Sequence, residues 1–215
     1  MIKTAIFDID NTILKGKSSE RIFIRYLRGK GIITYMDILR FIFTILVKLF
    51  SFRGLYIKNN KSYLKGKDNS VIEEAARDCF RDRVISFISR EALAEIQKKR
   101  ESGHVIVLLS GTLDVLIEQF KEYCGADIAL GSNLERCNGR LTGELQGIHP
   151  YGCGKALVLQ DLASKMQIDL SNSYGYADQY ADVKFLCLLG HPVAVNADLG
   201  LKIYARIKGW STMDF

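Results

Sequence analysis

The chain has 215 residues, 48% hydrophobic and 25% charged, with two prolines, no low-complexity run and no internal repeat. That is room for one full domain or one domain with an insertion, and it excludes a disordered chain, a solenoid and a propeller. The five cysteines, Cys79, Cys124, Cys137, Cys153 and Cys187, form no C-x-x-C pair, which argues against a disulfide framework or zinc site and for reduced thiols in a cytosolic protein. The net charge of +6 is uneven: residues 15–67 hold 13 Lys/Arg against Glu20 and Asp37 alone. Such a segment suggests an anionic partner, and nucleic acid, anionic lipid and a phosphorylated substrate all qualify.

The N-terminal MIKTAIFDIDNT meets acidic residues within its first ten positions and has no long apolar core, so it does not read as a secretory leader. Thr4–Phe7 is a compact run of strand formers ending on Asp8-Ile9-Asp10-Asn11-Thr12. Residues 16–84 look wholly helical. They are too long for a simple crossover and read as an inserted helical cap, which leaves 1–15 and 85–215 as the catalytic core. A helix over Arg90–Glu101 leads to a strand at His104–Leu109, ending on Ser110-Gly111-Thr112. A helix over Asp114–Tyr123 then leads to a strand from Ala126 to Leu130, closed by Gly131. Within residues 133–147, Cys137-Asn138-Gly139-Arg140 marks the turn of a small β-hairpin. Next come a helix at Lys155–Met166, a strand at Ser173–Ala177 ending on Asp178, a helix at Ala181–Leu189 and a strand at Pro192–Val195. Near-continuous apolar strands alternating with helices predict a doubly wound, Rossmann-like α/β fold with a parallel sheet. Such sheets bind ligands at the carboxyl ends of their strands.

Several chemically useful residues fall at those ends. Asp8 and Asp10 are two apart on a strand and point the same way. Two like charges so close call for a cation or a shared proton, and Mg²⁺ suits oxygen ligands. The bland alternative is a pair of helix caps or loop acids. Ser110 could hold a phosphate oxygen, with Gly111 letting the backbone approach. Lys155 opens a helix and could offset charge on a phosphate and on Asp8. Asp178 and Asp182 follow the fourth strand. Singly, Ser110 reads equally well as an N-cap, Lys155 as a solvated residue and Asp182 as a first-turn acid. Together, in order, at successive strand ends, they are hard to assign to chance.

Four motifs, Asp8-Ile9-Asp10-Asn11-Thr12, Leu109-Ser110-Gly111, Lys155 and Asp178-Gln179-Tyr180-Ala181-Asp182, resemble those of the haloacid dehalogenase superfamily. The helical insertion after the first motif resembles the phosphoserine-phosphatase-like branch. The ending, Pro192-Val193-Ala194-Val195-Asn196-Ala197-Asp198 … Lys208-Gly209-Trp210, resembles its bacterial subfamily IB. The resemblance implies a Mg²⁺-dependent phosphomonoesterase working through a phospho-aspartate. It makes Asp8 the nucleophile and Asp10 the general acid and base. Asp8, the main-chain carbonyl of Asp10 and Asp178 become the Mg²⁺ ligands. Ser110, Lys155 and N–H groups near Asn11 and Gly111 become the phosphoryl cradle. Asp182 orients Lys155 or a metal-bound water, and Thr12 braces the first loop. One departure bears on substrate: the branch carries a Glu after the first motif that binds the amine of phosphoserine. The matching place here is Lys17, with Glu20 a turn further on.

Residues 33–52 are mostly apolar, with Thr34, Asp37, Arg40, Thr44, Lys48 and Ser51 in one narrow helical stripe. Charges inside the segment argue against a membrane span. Two readings stay open: a cap helix packed inside the protein, or an interfacial helix on an anionic membrane, aided by Arg21, Arg25, Arg28, Lys30, Arg53, Lys58, Lys61, Lys65 and Lys67. The second would make the protein membrane-peripheral and admit a phospholipid-type substrate. Two other function classes compete. A phospho-acceptor signalling domain normally carries its Asp after the third strand, whereas Asp8 follows the first. A nucleic-acid-binding module has no recognisable motif here, so no nucleic acid is expected. The expected partner is a small phosphorylated substrate.

Overall fold

A computed structural model of the protein describes residues 1–50 and 60–215, the side chains of 48–50 excepted. Seven strands form one sheet: β1 (Thr4–Phe7), β2 (Val105–Leu113), β3 (Ile128–Cys137), β4 (Arg140–Gln146), β5 (Tyr174–Ala177), β6 (His191–Val195) and β7 (Ser211–Met213). Their order is β4-β3-β2-β1-β5-β6-β7. All neighbours pair in parallel except β3 and β4, the antiparallel hairpin expected from its Asn-Gly turn.

Side chains alternate across the strands, so each strand feeds two cores. Ala5 and Phe7 of β1, with Ile106 and Leu108 of β2, pack on one face against Phe23, Ile72, Ile96 and Phe120. Ile6, Val107 and Leu109 pack on the other against Leu159, Phe185 and Leu201. The first face is covered by α1 (Ser19–Gly29), α3 (Asn69–Cys79), α4 (Arg90–Glu101) and α5 (Asp114–Cys124), and the second by α6 (Cys153–Met166), α7 (Val183–Leu186) and α8 (Leu199–Lys208). Between α1 and α3 runs α2 (Tyr35–Phe50). Its first turn is closed by a reciprocal cap: the Thr34 N–H donates to Asp37 Oδ2 at 2.8 Å, and the Asp37 N–H donates to Thr34 Oγ1 at 3.3 Å. Of the polar stripe and basic residues noted above, Ser51, Arg53, Lys58 and the Lys48 side chain lie outside the described residues.

Three elements differ from the sequence expectation. β2 does not stop at Leu109, and β3 is not closed by Gly131. The pairing shifts register after Leu109 and resumes at Leu113–Ser132. That lets β2 carry Ser110-Gly111-Thr112 inside the strand and β3 run on into the hairpin. Gly131 permits the close approach, since a Cβ there would lie 2.6 Å from the Thr112 carbonyl oxygen. The helix expected over Ala181–Leu189 is a 3₁₀ turn at Tyr180–Asp182 followed by the single turn of α7, which tightens again at its end. α8 and β7 lie beyond the elements expected above, although Asp198 caps the start of α8 and Gly209, at φ +66°, ends it.

Candidate active site

β1 lies between β2 and β5, where the connections diverge to opposite halves of the sheet. Asp8 leaves the end of β1, Asp178 leaves the end of β5, and Ser110 sits within β2. Around them opens a cleft of about 700 Å³ that also reaches α1, α2 and the loop at His149.

Its floor is a buried charge cluster. Lys155, in the first turn of α6, is buried, with Nζ 2.9 Å from Asp8 Oδ2 and 2.7 Å from Asp182 Oδ2. Burial alone would lower the lysine pKa, but Asp8 and Asp182 outweigh it and hold the ammonium above its usual range. The other oxygen of Asp8, Oδ1, accepts from the Ile9 N–H at 2.8 Å. Asp178 Oδ2 accepts from Asn11 Nδ2 at 3.0 Å, while its Oδ1 is buried with no hydrogen-bond partner among the described residues. Burial, reinforced by the Asp8 charge, pushes the Asp178 carboxyl up to about 7. One oxygen each from Asp8, Asp178 and Asp182 lie within 4.8 Å of one another. An all-oxygen, anionic set with an unsatisfied buried carboxylate oxygen fits a hard divalent cation.

The first loop is held open by its own backbone. Asn11 adopts φ +58°, a left-handed conformation that asparagine tolerates. Its N–H donates to Leu14 O at 2.9 Å, and the Thr12, Ile13 and Leu14 N–H groups all close on Ile9 O. The Asn11 N–H is therefore engaged within the loop, and Asn11 meets the cluster through its side-chain amide. Thr12 is fully buried; its hydroxyl has no partner among the described residues, so its bracing is by packing and backbone.

Asp10 turns away from the charge cluster, toward the helical insertion. Its Oδ1 accepts from the Ser19 N–H at 2.9 Å at the start of α1. Burial raises its pKa, against the opposing hydrogen bonds from Ser19. Ser19 Oγ lies 3.0 Å from Thr112 Oγ1, which lies 3.2 Å from Ser110 Oγ. A buried hydroxyl chain thus links Ser110 to the residue that holds Asp10. Sequence reasoning missed Ser19 and Thr112; the only signal was two hydroxyl residues flanking recognised motifs.

Gly111 makes room for another residue that was missed. A Cβ on Gly111 would stand 3.2 Å from the imidazole of His149. His149 Nδ1 is 2.6 Å from Ser132 Oγ, which donates to Gly111 O at 2.7 Å. Farther out, Glu20 is bound by Lys61 Nζ at 2.7 Å and by Tyr63 Oη at 2.7 Å. Lys17, at the position corresponding to the amine-binding Glu of the phosphoserine-phosphatase-like branch, is exposed, its ammonium 5.2 Å from the centre of the Phe87 ring.

The chain is similar to known proteins in sequence and in fold. Over 235 aligned residues the chain is 29% identical to a phosphoserine phosphatase of Mycobacterium tuberculosis, covering 98% of this chain and 70% of that protein. In fold it is similar to a protein of unknown function from Bordetella pertussis Tohama I, with TM-score 0.84, 20% identity and coverage of 100% and 99% of the two chains. It is also similar to a phosphoserine phosphatase captured as a phospho-aspartyl intermediate analogue, with TM-score 0.66, 20% identity and coverage of 99% and 93%. The sequence profile of haloacid dehalogenase-like hydrolases matches residues 5–186, and the chain belongs to that family.

Proposed function

We propose that the protein is a Mg²⁺-dependent phosphatase that hydrolyses a phosphate monoester through a phospho-aspartate on Asp8. The observation that carries this reading is the charge cluster. Lys155 holds Asp8 Oδ2 at 2.9 Å, while Asp178 stands ready for a cation beside it. Asp8, Asp178 and the main-chain carbonyl of Asp10 would hold Mg²⁺, which when bound would supply positive charge that lets a carboxylate approach a phosphate. Asp182 serves by fixing Lys155.

In the first step a carboxylate oxygen of Asp8 attacks phosphorus, and the bond to the ester oxygen breaks. Asp10 gives its proton to the departing alkoxide, which leaves as the alcohol. Burial keeps that proton on Asp10 further up the pH scale than an ordinary aspartic acid would. In the second step water attacks phosphorus, Asp10 takes a proton from it, and the bond to Asp8 breaks to release inorganic phosphate. Throughout, Ser110, the Gly111 backbone and Lys155 hold the phosphoryl oxygens. Thr112 and Ser19 position Ser110 through their hydroxyl chain, and Ser19 holds Asp10 through its backbone N–H.

The direct test is Asp8→Asn. An amide cannot form the acyl phosphate, so phosphate release from an aryl phosphate in Mg²⁺ falls to background while thermal unfolding shows a folded protein. Activity within tenfold of wild type contradicts the role of Asp8.

A further inference from the structure

One surface of the helical insertion is not used by this chemistry. On α2, Tyr35, Met36, Leu39, Ile42, Phe43 and Leu46 are between 47% and 73% exposed. At about 100° per residue they fall on one continuous arc of the helix. The opposite arc faces the protein: Asp37 is buried against Lys67 at 2.9 Å, and Phe41 meets the Tyr63 ring edge-on at 5.4 Å. α2 is therefore packed against the protein on one arc and exposed on the other. Seen from the protein, α2 is inverted, with its most apolar face outward. Isolated exposed apolar residues are ordinary, but a continuous face on one helix is not.

Charge identifies what the face suits. Arg21, Arg25 and Arg28 form an exposed stripe along the adjoining α1, and the Arg28 guanidinium lies 5.5 Å from the centre of the Tyr35 ring. The only acids of residues 15–67, Glu20 and Asp37, are both ion-paired to lysines. An apolar face rimmed by arginines that pair with no acid among the described residues complements an anionic lipid surface, with side chains in the acyl boundary and guanidinium groups among the headgroups. α2 has 16 residues, so its length is about 24 Å, less than the roughly 30 Å hydrocarbon core. No described helix is long and apolar enough to cross a membrane. Such a helix lies along the surface.

The same helix reaches the active site. Phe41 and Ile45 of α2 and Ile24 of α1 line the cleft, with Arg21 beside them. We propose that the outer face of α2 and the arginine stripe of α1 dock on an anionic bilayer, from which the cleft takes a phosphate monoester carrying an apolar tail. The docking stands on the surface alone; the substrate class rests on the phosphatase reading above.

The test is flotation with vesicles of phosphatidylglycerol and phosphatidylcholine, combined with phosphate release from lysophosphatidate carried in them and from a soluble aryl phosphate. Wild type floats at low salt. The bound fraction falls at least fivefold on pure phosphatidylcholine or at high salt, because screening shortens the reach of the arginines to below about 10 Å above 0.1 M. Leu39→Glu with Phe43→Glu, and separately Arg25→Glu with Arg28→Glu, each lower flotation at least fivefold and lower lysophosphatidate turnover in parallel. Asp8→Asn floats like wild type and releases nothing. Docking is overturned if wild type does not float at low salt, if both double variants float as wild type does, or if the chain is a dimer in solution that does not float. The tailed substrate is overturned if wild type floats and cleaves the aryl phosphate but not lysophosphatidate. Failure on both substrates instead strikes the phosphatase reading, and flotation still decides the docking.

Discussion

An ammonium buried between two carboxylates is costly unless every charge near it is matched. Asp8, Asp178 and Asp182 around Lys155 leave two uncompensated negative charges when ionised, which a divalent cation would neutralise. Metal and acid–base roles then separate by mutation. Asp178→Ala weakens Mg²⁺ binding and is partly rescued by excess Mg²⁺. Asp10→Asn keeps its main-chain carbonyl but loses kcat by roughly 10²–10⁴-fold, without rescue. A Mg²⁺ titration of kcat and KM in both variants checks this, and rescue of Asp10→Asn instead would reverse the two assignments. Asp178 also links the metal to pH. Its carboxyl moves from the usual 3.8 to about 7 in the metal-free protein. Between those values the folded protein holds a proton that the unfolded chain releases, so this group's contribution to stability falls as pH rises through the window. Mg²⁺ competes with that proton. The rise in Tm on adding Mg²⁺ is therefore larger at about pH 7.5 than at about pH 5. In Asp178→Asn the rise is small at both. Equal Mg²⁺ shifts in wild type at the two pH values would contradict the coupling.

The hairpin of β3 and β4 bonds directly to residues 61–69, which lie between β1 and β2 in the chain. The Lys61 N–H donates to Gly143 O, Gly66 N–H to Leu141 O and Asn69 N–H to Gly139 O, each within 2.9 Å. These bonds fix the segment that brings Lys61 to Glu20. Gly143 has φ +88°, and a Cβ there would stand 3.0 Å from Ser62 Cα. Gly143→Val therefore costs about 1–3 kcal/mol through strain and contact. Urea unfolding measures it, and a loss below about 0.5 kcal/mol would show that the hairpin contact is slack. The turn of this hairpin was legible in Asn138-Gly139, but its docking on residues 61–69 was not, because strand pairing with a distant segment leaves no local pattern. The strands of the core were legible because both faces are buried and their apolar runs are continuous. Asp8 and Asp178 stand out in the sequence because each directly follows a short apolar strand, whereas Ser110 lies within β2 and Lys155 in the first turn of α6. Ser19, Thr112 and His149 were not legible, since each acts through a contact made only in the folded chain. For α2 two readings stayed open for a physical reason: apolar periodicity shows that a face exists, and cannot tell whether protein or another phase covers it.

On the scale of the whole molecule, the sheet sets β1 between β2 and β5 and so brings residues 8, 110 and 178 together from distant parts of the chain. α1 and α2 line the cleft, so Ser19, which holds Asp10, lies on the same helix as the outward-facing arginines. The central claim is that Asp8 carries the phosphoryl group between the two steps. Mass spectrometry of peptides from protein quenched in acid during turnover of an aryl phosphate with Mg²⁺ tests it most directly. The account predicts a phosphoryl adduct on the peptide containing Asp8, removed by hydroxylamine and absent from Asp8→Asn. Steady turnover with no adduct on that peptide at any quench time, or an adduct on another residue, would contradict it.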